Sequence, residues 1–447
     1  MPVVSKSIFV LTVVDALIIM FAALYSFLSF VPLSILLYLT LWFLLITMLV
    51  LYIKGFYEVR SYKPRDIYLL FEGITIATVF AGIPLCISGF NIITVLLLVI
   101  NAVLTFIGIL FVRIIYLIYV KFMKSVKNVL IVGAGQDGKL IAEEIQAKPE
   151  LGMKVVGFLD DNMNTIEDED STIPILGLTC DSEAVIKDNN VKIVIIAVKS
   201  RMDSTTLTDL IRGIPLAVKV WRMPKFYERI THKYLVSKMT VNWLFYASVK
   251  KKALLFASIK RLCDIIASIA IMIITIPLSV IAILGIKLSD FGPVFFTQTR
   301  IGKFGKPFKM IKFRTMYQDK VEENFDDDLT EITYDDKRIM PFCKILRKFH
   351  IDELPQMINI LRGEMSIVGP RPVREEVYYE NREKMPYWEC RNWVRPGWCG
   401  WQQVNSCEPT SEERLEYDLY YIKHRHIIWE CIIFIQFIGK VICGRCK

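Results

Sequence analysis

Four apolar runs fill the start of this chain: Ile8–Phe30, Ser34–Ile53, Ile67–Ser88 and Ile92–Val120. Each matches the roughly 20 residues a helix needs to cross the hydrocarbon core of a bilayer. One such run could be a buried core helix; four in succession, almost without charge, leave that alternative little room. With 54% of its 447 residues hydrophobic, the chain reads as a membrane protein whose residues 1–122 form an α-helical bundle of four spans. The first run is too long for a secretory leader and lacks a small-residue cleavage site, so it reads as an anchor.

Charge orients the bundle. Lys54, Arg60, Lys63 and Arg65 lie between the second and third runs, and Lys121, Lys124 and Lys127 follow the fourth, while the other two loops carry no Lys or Arg. Both ends are therefore expected on the cytoplasmic side. Asp15 and Glu72, within the runs, are functional candidates by location alone. The net charge is +9, and Lys250, Lys251, Lys252, Lys260 and Arg261 border a further apolar segment. Anionic membrane lipids fit that arrangement, whereas no aromatic and basic interleaving points to nucleic acid. The ten cysteines form no metal-type array and are expected as free thiols, with Cys443 and Cys446 in a frayed tail. The acidic stretch Glu322–Asp336 reads as a solvated loop.

From Lys127 the composition becomes globular. Val129-Leu-Ile-Val-Gly-Ala-Gly-Gln-Asp-Gly138 is an apolar strand entering G-x-G-x-x-G at Gly133, Gly135 and Gly138, followed by a helical pattern over Lys139–Ala147. A second strand, Val155–Leu159, ends in Asp160-Asp161, where a dinucleotide fold places its ribose-binding acid. Val191–Val198 reads as another buried strand. Residues 123–250 are thus expected to form an α/β Rossmann-like domain. No Tyr-x-x-x-Lys pair follows, so hydride chemistry has no visible acid or base; a regulatory nucleotide or a structural role is favoured over nucleotide catalysis.

Leu262–Ile286 is again long enough to span, but Pro277 interrupts it. A fifth crossing would put the two flanking domains on opposite sides of the membrane. The expectation is a helix, break, helix hairpin at about 260–288 that enters and returns on one side, with Thr275 satisfying a carbonyl freed by the proline. Beyond it, Phe295–Lys303 and Phe308–Met316 alternate cationic and apolar residues. Lys312 and Arg314 on one strand face would suit a diphosphate, or simply a solvated basic face. In Arg347-Lys-Phe-His-Ile-Asp-Glu-Leu-Pro-Gln356, two adjacent carboxylates precede an apolar helical pattern. Pro355 suits a first helical turn, so a helix from Glu353 to Leu361 is expected, with Asp352 as N-cap and Gly363 as terminator. Such a carboxylate either only caps the helix or serves as a nucleophile toward phosphorus.

Gln298-Thr-Arg-Ile-Gly302, Lys312-Phe-Arg-Thr-Met316, Asp336-Lys-Arg-Ile339, Asp352-Glu-Leu-Pro-Gln356, Ser366-Ile-Val-Gly-Pro-Arg-Pro372, Arg395-Pro-Gly397, Gly400-Trp401, Gln403-Val-Asn405 and Tyr417-Asp-Leu-Tyr420 occur in this order. The series resembles the bacterial polyprenyl-phosphate hexose-1-phosphate transferases, the large monotopic phosphoglycosyl transferases. The resemblance covers essentially the whole chain and implies an α/β transferase domain over 251–447 with a re-entrant membrane helix. It implies that Asp352 is the nucleophile toward a UDP-sugar, that Glu353 binds Mg²⁺, and that Lys312, Arg314, Arg371 and Arg338 surround the diphosphate. Undecaprenyl phosphate would be the acceptor, glucose or galactose the sugar, and the first step of exopolysaccharide, capsule or O-antigen synthesis the role. The place would be the bacterial inner membrane, multi-pass, with the catalytic domain on the cytoplasmic face; a homodimer is compatible. Two other readings are a membrane-anchored NAD-dependent nucleotide-sugar oxidoreductase or epimerase, and a catalytically inactive nucleotide-sensing scaffold. The chain departs from the family pattern at Trp398, Cys399, Gln402 and Ser406, which puts sugar selection by that loop in question. It also departs at Ile276 before Pro277, and at Met340.

Overall fold

The computed structural model describes residues 6–28, 30, 32–54, 56–57, 64–88, 91–123, 126–161, 173–198, 214–215, 217–238, 253–317, 338–406 and 409–442. The expectations for Arg60, Lys63, Lys124, Lys250 to Lys252, Glu322–Asp336, Cys443 and Cys446 lie outside these residues. The chain divides into two compact units, Met1–Leu51 with Phe56–Leu235, and Tyr52–Gly55 with Val236–Lys447.

In the first unit, α1 (Lys6–Phe27), α2 (Leu33–Ile53), α3 (Pro64–Ser88) and α4 (Ile92–Met123) follow the four apolar runs. They are apolar all round: on α1, Ile19, Ala23 and Phe27 are buried while Leu17, Phe21 and Leu24 are exposed. Helices with no polar face belong in lipid. Asp15 on α1 accepts a hydrogen bond from Arg113 on α4 at 2.5 Å, with both side chains buried, and the Arg113 guanidinium lies 5.0 Å from the Phe56 ring centre. Asp15 therefore has a fixed counter-ion, while Glu72 is half-buried on α3.

The rest of this unit is a parallel sheet in the order β3-β2-β1-β4-β5. Its elements are β1 (Lys127–Val132), α5 (Gln136–Gln146), β2 (Met153–Leu159), β3 (Ile175–Gly177), α6 (Ser182–Asp188), β4 (Val191–Ile196), β5 (Lys219–Arg222) and α7 (Met223–Thr231). The apolar run of β1 is continuous because both faces are covered: Val129 and Ile131 enter one core, Leu130 and Val132 the other. Helix α5 starts three residues before the expected Lys139, with Gly135 as its N-cap, because the glycine turn feeds directly into the helix.

In the second unit, α8 (Ala253–Ser289) is helical throughout with Pro277 inside it, where a break was expected. The Thr275 hydroxyl donates to Ile271, 2.7 Å away, and not to the Ile273 carbonyl that the proline leaves without its helical donor. One missing bond is a small loss in a long helix, which is why the element continues through it. Among the described residues, α1 to α4 and α8 are long and apolar enough to cross a membrane. The unit continues with the antiparallel hairpin β6 (Phe295–Ile301) and β7 (Pro307–Phe313), then α9 (Pro341–Lys348), α10 (Gln356–Arg362), β8 (Ser366–Val368), α11 (Glu375–Lys384), β9 (Gly397–Cys399), α12 (Trp401–Asn405), α13 (Ser411–His424) and α14 (Ile427–Ile442). Ala282 and Ile286 of α8 join Phe313, Met340, Cys343 and Leu346 in one core, so the end of the long helix seats β7 and α9.

Candidate active site

The chain between α9 and α10 does not form the expected capped helix. Ile351–Glu353 is a 3₁₀ turn, α10 begins only at Gln356, and its N-cap is Pro355, with no side-chain cap. His350 sits in left-handed backbone at φ 52°, which reverses the chain after α9 and sets the tight turn in motion. Asp352 therefore lies within the turn rather than at a helix start. Gly363 does end α10 in the left-handed region, as expected.

The turn points Glu353 inward. Its side chain is buried, and Oε1 accepts from Lys312 Nζ at 3.1 Å and Arg371 Nη2 at 2.8 Å. Lys312 arrives on β7 and Arg371 on the Gly-Pro-Arg-Pro turn after β8, so three distant segments converge on one carboxylate. The other oxygen, Oε2, is buried without a hydrogen-bond partner; His350 Nδ1 stands 3.8 Å from it. Burial raises the Glu353 pKa, but Arg371, Lys312 and His350 outweigh it and hold the carboxyl well below its usual range. Asp352 moves the other way: burial and the Glu353 charge raise it, against Lys312, His350 and Arg347. The pair is thus split into a firmly anionic member and one whose negative charge is less stabilised.

Arg314 does not join this cluster. It follows the last residue of β7, its N–H bonds the Val294 carbonyl, and its guanidinium donates to Asp290 Oδ2 at 2.8 Å. The shared strand face assumed for Lys312 and Arg314 ends with the strand at Phe313. The Arg338 carbonyl accepts from Tyr317 N–H beside the Met316–Ile339 bridge.

Three supporting residues were not singled out from sequence. Buried Asn359 on α10 donates to the Lys309 carbonyl at 2.7 Å and accepts from Ile311 N–H at 3.0 Å, stitching the helix to the strand that carries Lys312. Buried Arg391 donates to the Arg371 carbonyl at 2.9 Å and pairs with buried Asp418 at 2.8 Å. His350 is the third. A polar Asn inside the apolar pattern of α10 was a visible signal; the partners of Arg391 and His350 left none.

Mg²⁺ takes oxygen ligands, keeps several waters and commonly uses only one or two carboxylates together with substrate phosphates. Among the described residues no three His, Cys, Asp or Glu groups cluster. The unpartnered Glu353 Oε2 beside Asp352 nevertheless fits a cation of that kind.

The family-departing residues are engaged in packing and local bonds, in part through neighbours they share with the turn. Trp398 packs on Phe434 and Phe437 of α14, the Cys399 thiol lies 3.1 Å from the Ile367 carbonyl, Gln402 bonds Ser406, and Met340 is in the core. In the sheet domain, Gly133 has φ 104° and a Cβ on Gly138 would lie 1.9 Å from the Gly133 carbonyl oxygen, whereas a Cβ on Gly135 meets nothing. Asp160 Oδ2 accepts from Ala134 N–H of the glycine loop at 2.7 Å, and Asp161 accepts from Thr179.

Comparison with known proteins agrees with this architecture. A family profile described as bacterial sugar transferase matches residues 255–444. The UDP-glucose:undecaprenyl-phosphate glucose-1-phosphate transferase of Escherichia coli is 42% identical over 34% of this chain and 33% of its own. The UDP-N-acetylgalactosamine-undecaprenyl-phosphate N-acetylgalactosaminephosphotransferase of Aeromonas hydrophila is 34% identical over 38% of this chain and 40% of its own. The sugar transferase EpsL of Bacillus subtilis is 34% identical over 37% of this chain and 77% of its own. The chain belongs to the bacterial sugar transferase family. Its match spans only about a third of the length of the Escherichia coli relative. In this bacterial sugar transferase a second profile, described as CoA-binding domain, matches residues 52–212, which include the parallel sheet from β1 to β4.

Proposed function

We propose that the protein transfers a hexose 1-phosphate from a UDP-hexose to undecaprenyl phosphate through a covalent intermediate on Asp352, starting a polysaccharide repeat unit. The observation that carries this reading is the convergence of Lys312 and Arg371 on Glu353 Oε1 next to Asp352. An Asp352 oxygen attacks the sugar-bearing phosphorus, the bond to the bridging oxygen breaks, and UMP leaves. A phosphate oxygen of undecaprenyl phosphate then attacks the same phosphorus, and Asp352 returns as carboxylate. Lys312 and Arg371 orient Glu353 and lie where diphosphate charge must be neutralised, which is most of what phosphoryl transfer asks of a protein. Mg²⁺, held through Glu353, would supply further neutralisation of the diphosphate. Arg338 and Arg314 remain outer candidates, Arg314 by fixing Asp290 at the end of α8.

Both ends of α8 grip the same unit: Lys260, Arg261 and Asp264 bond β8, α10 and α14, while Ala282 and Ile286 pack near α9. Between Asp264 and Ala282 a straight helix would rise roughly 27 Å, nearly a whole hydrocarbon core. One domain holding both ends supports a helix that enters and leaves on one face, with Ile273, Ile274 and Ile276 exposed to lipid. The Lys and Arg residues that flank the four apolar runs support a reading in which the sheet domain and the transferase unit both face the cytoplasm at the inner membrane. The Asp160 bond to the glycine loop supports a regulatory or structural role for the sheet domain.

The test is UMP release by the purified full chain with Mg²⁺, undecaprenyl phosphate and a panel of UDP-glucose, UDP-galactose and UDP-N-acetylgalactosamine. Without acceptor, at most one phosphosugar per chain should remain attached to Asp352. A requirement for the lipid before any UMP appears would replace the covalent route by direct attack.

A further inference from the structure

We propose that Tyr421, together with Lys260 and Glu430, is a positioning group that holds the Gly-Pro-Arg-Pro turn so that Arg371 meets Glu353. This rests on the transferase reading for its catalytic consequence. The turn hangs from β8, a strand of three residues paired only with the equally short β9 at Ser366–Gly397 and Val368–Cys399. The turn itself is bonded at the Pro370 carbonyl by Gly397 N–H and at the Pro372 carbonyl by Arg300, and the strand that enters it is held by a separate set of side chains.

They form a closed ring on the last residue before the turn. The Val368 carbonyl accepts from Lys260 Nζ at 3.1 Å and lies 3.1 Å from the Tyr421 hydroxyl. Both groups also contact one carboxylate: Lys260 bonds Glu430 Oε2, and the Tyr421 hydroxyl is 2.8 Å from Glu430 Oε1. The single hydroxyl proton is shared between a carbonyl and a carboxylate. One turn along α8, Asp264 accepts from the Ser366 hydroxyl at 2.8 Å and from Ile367 N–H at 3.1 Å. Tyr421, Glu430, Ser366, Val368 and Asp264 are all buried, where an unmet partner is costly and a met one rigid. At the far end of the turn, Arg391 takes the Arg371 carbonyl.

The base of α8 therefore holds Ser366, Ile367 and Val368 from one side, and Tyr421 of α13, backed by Glu430 of α14, holds Val368 from the other. None of these groups reaches Glu353, so they act through Arg371. Removing the Tyr421 hydroxyl frees the Val368 carbonyl on that side and strips Glu430 Oε1 of its donor, leaving the fold's apolar contacts intact.

The experiment uses the full chain in lipid nanodiscs and has two independent arms. Hydrogen exchange of the peptide spanning 366–373 should rise in Tyr421→Phe, while α10 peptides keep their protection. In the activity arm, Tyr421→Phe should lower kcat about tenfold with little change in the KM for UDP-sugar. The same substitution in an Arg371→Ala background should cost less than about twofold, since coupled residues do not add. Glu430→Gln, which keeps an acceptor for Tyr421 but drops the charge facing Lys260, should show the same pattern more weakly. Unchanged exchange over 366–373 overturns the positioning role, and equal kcat losses in both backgrounds overturn its link to Arg371. If wild type releases UMP from no UDP-sugar, the transferase reading fails, while the exchange arm still decides whether Tyr421 holds the turn.

Discussion

The glycine-rich loop after β1 and the turn that carries Asp352 each set an acidic residue against a tight stretch of backbone. In the loop the polar groups are satisfied within the chain: Asp160 takes the Ala134 N–H, and Asp161 takes Thr179. In the turn they are not, because Glu353 Oε2 is buried with no hydrogen-bond donor, and Asp352 is raised in pKa by burial and by the Glu353 charge. A motif whose acids are consumed by its own fold needs nothing else to be stable. A site that keeps a buried carboxylate oxygen unmet is held at a cost of about 1–3 kcal/mol, which binding a cation would offset. The same residue classes therefore serve structure in one place and await chemistry in the other.

The comparison breaks most sharply at Asp352. Asp352→Asn should fold and stay in the membrane yet lose at least about 10³-fold in UMP release; near-normal turnover would remove the distinction between the two regions. Glu353→Gln should lose about 10²-fold and shift the Mg²⁺ concentration needed for half-maximal rate, which a titration would show. On the loop side the effects should be on stability and not on chemistry. Gly138→Ala should destabilise the sheet domain by about 2–3 kcal/mol, read as a lower thermal midpoint, because its Cβ has no room against the Gly133 carbonyl. Gly135→Ala should fall within about 0.5 kcal/mol. If Gly135→Ala instead abolished UMP release at unchanged stability, the loop would belong with the catalytic turn after all.

Much of the fold was legible because it is written in local patterns. Continuous apolar runs marked α1 to α4, the two-faced burial of β1 made an unbroken hydrophobic strand, and Gly363 ended α10 through its positive φ. The adjacent carboxylates of the candidate site were legible too, since Asp352 and Glu353 need no partner to be noticed. What was not legible depends on segments far apart in the chain. Lys312 meets Glu353 across 41 residues, whereas Arg314, two residues from Lys312, leaves for Asp290 because the strand stops between them. The capped helix expected at Asp352 gave way to a 3₁₀ turn because His350 adopts left-handed backbone, a conformation that histidine rarely declares in advance. Among the departures around Cys399, Trp398 packs on Phe434 and Phe437 of α14, a contact between segments that no local pattern announces.

The Asp15–Arg113 pair carries a consequence for how the protein is made. Its two halves are 98 residues apart, so the acid leaves the ribosome well before its counter-charge exists. Until α4 is synthesised, Asp15 on α1 lacks its cationic partner, which is an expensive state for a carboxylate on an apolar helix. An Arg113→Leu chain is expected to be cleared by membrane proteases faster than wild type in a pulse-chase, and Asp15→Leu with Arg113→Leu more slowly than either single change. Quality control of this chain is then written into one buried contact, and a cell can judge its completeness by whether α1 has found α4.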